Sequence, residues 1–267
     1  MLNDITLGQF FPGDSVLHKI DPRMKIILML LFITSVFFAN NYYSFALLVA
    51  GALIIAAVSQ LSVMMLLKGL KPIIFIAVFT AVINIFWTKG ENLIFEFWII
   101  RIYDDGLKMA LFMVLRIITL ILGTGVLLTY TTSPMALTDA IERLLSPLKK
   151  LHVPVHEFAM MMTIALRFIP TLIEETEKIT NAQKARGADF ESGKLIDRAK
   201  AMIPILIPLF VSAFRRADEL AVAMECRLYH GGEGRTRMKV LKLSGRDFTA
   251  LAMMITFSAG LLILNKL

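Results

Sequence analysis

Cysteine is nearly missing from this 267-residue chain: Cys226 stands alone. That excludes an intrachain disulfide and a cysteine-based metal cluster. Charge is sparse as well, at 18% of residues, and several long runs hold almost none. No G-x-x-x-x-G-K-[ST] loop occurs. The glycine-rich stretch Gly231 to Arg237, "GGEGRTR", has neither that spacing nor a Lys-Ser/Thr pair, so nucleotide chemistry would have to come from elsewhere. The spans described below lack the His, Asp or Cys pairs of an intramembrane enzyme. They are equally poor in acidic residues and Pro/Gly breaks, which a self-contained channel or secondary transporter would use to build a midplane site. The first 25 residues show no short apolar core with a cleavage site, so no signal peptide is expected. No soluble basic face or aromatic-interleaved patch suggests nucleic acid.

Apolar residues are what the chain does have. They make up 57% of it, and the mean hydropathy is +0.71, well above a soluble domain, where about 45–50% apolar is usual. The expected fold class is an all-α integral membrane protein, because the runs are continuous and show no ten-residue alternation. Five spans are expected, at Met24–Ala39, Tyr43–Ser59, Pro72–Trp87, Leu107–Tyr130 and Phe248–Leu264. The first and third are short for a bilayer, so their ends are expected to extend into the flanks.

Loop charge sets the expected orientation. His18, Lys19 and Arg23 precede the first span and Lys25 stands at its start, and Lys68 and Lys71 precede the third. The loop from Thr88 to Gly106 is net negative and is expected outside. Residues 131–247 hold 18 of the 28 Lys/Arg, which places that segment on the cytoplasmic side. The amino terminus is then inside and the carboxyl terminus outside. The net charge of +7 reads first as this bias and second as affinity for anionic lipid or an acidic partner. Three regions follow: a four-span membrane domain, 1–130; a cytoplasmic or interfacial helical domain, 131–247; and a final transmembrane helix, 248–267.

Within 131–247 the apolar stretches Phe158–Ile173 and Ala201–Phe214 are expected to lie along or dip into the cytoplasmic face. If both crossed, the basic connection between them would be translocated. The pattern predicts a short helix from Leu137 to Lys149, with Thr132 or Ser133 as N-cap and Pro134 at the first helical position. Its stripe is Leu137, Ile141, Leu144, Leu145 and Leu148. A long helix from Val155 to Lys184, kinked at Pro170 and stopped by Gly187, is expected next. Another follows from Lys194 to Arg227, bent at Pro204 and Pro208 and ended by "RLYHGGEG". Each long helix brings an arginine, Arg186 or Arg227, to its carboxyl end. A cation there offsets the helix dipole for under about 1 kcal/mol, which accounts for either one alone. Recurrence among small residues (Ala182, Ala185 and Gly187; Ala221 and Ala223) favours a second reading, a guanidinium fork entering a partner's groove to meet carboxylates.

Arg116 lies inside the fourth span, where snorkelling or pairing within the bundle is expected. His152, His156 and Glu157 superficially suggest a metal pair, but Pro154 breaks the register, and no metal or cofactor is expected. Met160, Met161 and Met162 read as adaptable packing.

The stretches "ALRFIPTLIEETEKITNAQKARGADF" and "PILIPLFVSAFRRADELAVAMECRLYHGG" closely resemble the transmembrane T component of energy-coupling factor (ECF) transporters, ABC-type importers of vitamins and metal ions. The resemblance is strong from about Thr131 to Arg246 and weaker over the spans. It implies a non-catalytic subunit that couples two ATP-binding subunits to a substrate-capture (S) membrane protein. It implies docking motifs at Ala185, Arg186 and Gly187, and at Cys226, Arg227 and Leu228. The second motif keeps its arginine and departs from Ala and Gly at both flanks, which suits a complex whose two ATPases differ. The coupling helices, with Met160 to Met162, Pro170, Pro204 and Pro208, would pass motion to the S component.

Overall fold

In the computed structural model, residues 10–90, 92–97, 100–190, 194–232 and 241–266 are described. The chain forms two compact units. One comprises Gly8–Leu137 with Val240–Leu267, and the other includes Thr138–Lys239.

The first unit is a helical bundle. Helix α1 (Pro22–Phe38) starts where Asp21 accepts a hydrogen bond from the Arg23 amide (2.9 Å), with proline in the first turn. Helices α2 (Tyr42–Ser59) and α3 (Val63–Trp87) follow. Strands β1 (Leu93–Phe97) and β2 (Ile100–Tyr103) then pair antiparallel, with Phe97 opposite Ile100 and a bulge between Leu93 and Phe95. This hairpin was not foreseen in the acidic loop. Helix α4 (Asp104–Thr124) continues into a π-helical turn, Gly125–Thr129. The last helix, α9 (Gly245–Leu264), returns to the same unit. Its capping box joins Ser244 and Asp247.

α3 begins nine residues before Pro72 and takes in Lys68 and Lys71, both exposed, so the short third span extends into its flank. Long lysine stems extend along apolar surface while the ammonium reaches water, so the charges do not end the helix. Lys25, counted above among the flanking charges, is 2% exposed.

α1 and α2 each pack against both α4 and α9, and α3 packs on the outside of α4. The centre holds Phe32, Val36, Phe45, Leu48 and Leu261, all essentially buried. Phe45 stacks on Phe112 with centroids 4.6 Å apart. Gly123 lets α4 approach α1: a Cβ there would overlap the Phe32 ring. Outward faces are apolar, as in Phe75 and Trp87 of α3, which are 77% and 84% exposed. That inversion suits a surface solvated by lipid.

Polar bonds tie the bundle's ends. Asp247 accepts from the Asp21 amide (2.8 Å) and the Ser244 amide (2.6 Å), linking the starts of α1 and α9. The Lys25 ammonium donates to the Thr131 carbonyl (2.8 Å), Thr131 Oγ1 (3.2 Å) and Thr132 Oγ1 (3.1 Å). All three of its donors are thus used just past the π-helical turn. Arg116 donates to the carbonyl of Ala39 at the end of α1 (2.7 Å) and lies over the Phe45 ring (5.5 Å). Of its two expected fates, pairing within the bundle is the one observed.

Five described helices are long and apolar enough to cross a membrane: α2, α3, α4 with its π turn, α9 and, in the second unit, α6 (Val155–Ala185). The chain is an all-α multi-pass membrane protein. The expected set of spans held α1 in place of α6. With 17 residues, α1 is about 25 Å long, just under the hydrocarbon thickness of about 30 Å. α6 qualifies through its apolar first half.

The second unit contains α5 (Pro134–Leu144, straddling the boundary), a 3₁₀ turn (Ser146–Leu151), α6 (Val155–Ala185), α7 (Leu195–Ala201) and α8 (Ile203–Cys226). Ser133 caps α5, accepting from the Ala136 amide (3.3 Å). α5 stops at Leu144, short of the expected Lys149, and Pro147 lies in the tighter turn beyond it. Its stripe residues Ile141, Leu144 and Leu145 are about two-fifths exposed. The helix expected from Lys194 to Arg227 is two helices separated at Met202. Pro204 sits in the first turn of α8, so it starts a helix where a bend within one was expected. Pro170 and Pro208 lie inside α6 and α8.

Candidate functional site

α6 and α8 pack together and end in the same way. Arg186 occupies the C-cap of α6 with φ −88° and ψ 6°; Arg227 occupies that of α8 with φ −90° and ψ 10°. At the first end the Gly187 amide donates to the Lys184 carbonyl (3.0 Å) and the Ala188 amide to the Gln183 carbonyl (3.0 Å). At the second the Leu228 amide donates to the Glu225 carbonyl (2.8 Å) and the Tyr229 amide to the Met224 carbonyl (3.1 Å). Both are Schellman closures, in which paired bonds satisfy the last carbonyls of the helix.

That closure needs a left-handed residue right after the arginine. Gly187 fills the place at φ +88°, and nothing lies within 4 Å of where its Cβ would be. Leu228 fills it at φ +54°. An L-residue with a side chain loses roughly 1–2 kcal/mol in this conformation. "RLYHGGEG" was expected to end this helix after Arg227. The helix ends there, at Cys226 with Arg227 as its C-cap, and Leu228 makes the turn.

Both arginines are exposed, as are Ala185, Gly187, Cys226 and Leu228. Neither guanidinium has an ion pair or hydrogen bond among the described residues. Each tip therefore presents a cation on a backbone that does not need it for closure. The six residues expected to form docking motifs are brought together in two groups of three, each on one tip.

Behind the tips, the Arg216 guanidinium donates to a Glu175 carboxylate oxygen (2.8 Å), joining α8 to α6. Each partner lies eleven positions before the arginine that ends its helix. Sequence reasoning missed this pair, and the equal spacing was the signal that could have found it. His156 Nδ1 and Glu142 Oε1 are 2.9 Å apart, pinning α6 to α5, while His152 is left-handed (φ +59°) at the end of the 3₁₀ turn. The two histidines thus sit on separate elements. Among the described residues, no group of three His, Cys, Asp or Glu could hold a metal ion.

Met161 and Met162 are 58% and 41% exposed on α6, beside the exposed Phe158. On α8, Phe210 and Phe214 stack at 6.4 Å and are about two-thirds exposed. Met160 is half-buried; Pro170, Pro204 and Pro208 are exposed. These helices leave broad apolar faces behind polar tips.

A multi-pass membrane protein with two arginine-ended helices is thereby defined. The profile of the CbiQ family, described as cobalt transport protein, matches residues 13–238. The chain is 57% identical to the energy-coupling factor transporter transmembrane protein EcfT of Clostridium kluyveri, over 94% of this chain and 93% of that one. Its identity to the protein of the same name from Ruminiclostridium cellulolyticum is 53%, over 99% and 98% of the two chains. With that of Bacillus subtilis it is 48%, over 99% and 100%. The chain belongs to the family of energy-coupling factor transporter transmembrane proteins.

Proposed function

We propose that this chain is the non-catalytic coupling subunit of an ECF importer, transmitting ATP-driven motion from two ATP-binding subunits to a substrate-capture membrane protein. The observation that carries the reading is the pair of like-folded helix ends, each presenting an exposed arginine with no ion pair or hydrogen bond among the described residues. A guanidinium on such a tip reaches a groove lined by carboxylates, where its planar fork makes paired charged hydrogen bonds. Ala185, Arg186 and Gly187 dock on one ATPase, and Cys226, Arg227 and Leu228 on the other. ATP binding and hydrolysis change the spacing of the two ATPases and so move the tips.

The Glu175–Arg216 pair and the α6–α8 packing carry that movement into the apolar halves of the helices. Met160 to Met162, with the helix segments around Pro170, Pro204 and Pro208, then meet the capture protein. Soft methionine side chains suit a surface that accommodates more than one partner. The cargo is a vitamin or a metal ion, and its choice rests with the capture protein.

Orientation follows the charge. Residues 131–247, with the basic stretch between α6 and α8, stay on the cytoplasmic side, the amino end is inside and the carboxyl end outside. On this reading α1 crosses with the bundle in which it is buried, and α6 lies at the interface despite its length.

The test is co-purification of the membrane complex. Arg186→Glu with Arg227→Glu should abolish ATPase association while leaving the membrane subunit folded; intact association would refute the reading.

A further inference from the structure

We infer that Leu228 is a specificity-determining residue, an apolar side chain that seats the second tip in one ATP-binding subunit and not in the other. The inference rests on the docking reading above and goes beyond it. The two tips have the same backbone closure and the same exposed arginine. They differ at the residue after it. The first tip offers a bare glycine with open space around it, and the second a leucine that is 77% exposed.

Folding of this chain alone gives no reason for that leucine. It is strained at φ +54°, where glycine or asparagine would sit more easily. Its side chain recovers little by burial. Strain of this kind persists where another interaction compensates for it. A side chain projecting beside Arg227 meets whatever the arginine meets. The second groove therefore carries an apolar pocket next to its acidic site. The first groove is shaped for a flat Ala-Arg-Gly tip and would be blocked by a leucine. The two tips are thereby directed to two unlike ATPases by fit and by exclusion.

The experiment uses the full chain in lipid nanodiscs and each ATP-binding subunit purified from the wild-type complex. In an Arg186→Glu background only the second tip can bind. There, Leu228→Gly and Leu228→Asn should weaken binding of the cognate subunit about tenfold, the scale of losing one buried leucine contact. Both variants should also raise the melting temperature of the chain itself, since both relieve the left-handed strain. In the Arg227→Glu background, Gly187→Leu should weaken binding at the first tip. A change of less than twofold on Leu228→Gly, or a lowered melting temperature, overturns the inference. Failure of the docking reading looks different, because association would then survive reversal of both arginines. Loss of association on double reversal, with Leu228→Gly unchanged, leaves docking standing and removes only the role of Leu228.

Discussion

The carboxylate of Glu175 and the guanidinium of Arg216 meet at 2.8 Å, each eleven residues ahead of the arginine that closes its own helix. At 1.5 Å per residue, the bridge lies about 16 Å along the helix axis from either tip. The two helices are thus joined at matched distances from their ends.

The bridge is partly exposed, with Arg216 36% and Glu175 21% accessible, so its contribution to stability should be below about 1 kcal/mol. Its effect should appear in coupling. Arg216→Glu is expected to reduce transport per ATP hydrolysed in the reconstituted complex, with little change in melting temperature. Glu175→Arg combined with Arg216→Glu should recover much of the loss. A double variant no better than the single one would show that the pair does not transmit motion.

Lys25 gives a contrasting case, a buried ammonium held by three neutral oxygens. Lys25→Met strands the Thr131 and Thr132 acceptors. Hydrogen bonds to charged groups are each worth about 1.5–3 kcal/mol, so thermal unfolding in detergent should shift down by several degrees. Thr132→Val removes one acceptor of the three and should have the smaller effect.

Gly123 tests packing with an inverted sign. In an exposed helix, Gly→Ala stabilises by roughly 0.5–1 kcal/mol. Here the added Cβ overlaps the ring of fully buried Phe32, so Gly123→Ala should lower the melting temperature. Phe32→Leu in the same chain should restore part of it, by clearing the space. Equal loss in single and double variants would mean that α4 does not approach α1 so closely.

Asp247 is 1% exposed and accepts hydrogen bonds from two backbone amides, those of Asp21 and Ser244. Asp247→Ala should destabilise the bundle by about 2 kcal/mol or more, since both donors lose a buried partner. Chemical denaturation of the detergent-solubilised protein measures it. Asp247→Asn, which retains one acceptor oxygen, should fall between wild type and alanine.

Much of the fold was legible because its signals are local. α2 and the end of α3 follow directly from long apolar runs. The ends of α6 and α8 at arginines follow from where apolar and charged residues give way to polar ones. Element breaks were harder to read. α7 and α8 read as one helix because a proline in a first turn and a proline in an interior look the same in sequence. The β1–β2 hairpin was hidden because its strands are short and sit in a charged loop.

The sequence by itself determined that this is a multi-pass helical membrane protein whose two long polar-ended helices close on arginines. Hydropathy and charge are properties of each residue and add along the chain, so they can be read without coordinates. Only the tertiary structure decided that Lys25 is an internal tie, that Glu175 finds Arg216, and that Leu228 turns the chain as Gly187 does. Those outcomes depend on which distant groups come within a few ångströms, and on backbone angles that a side chain disfavours but does not forbid.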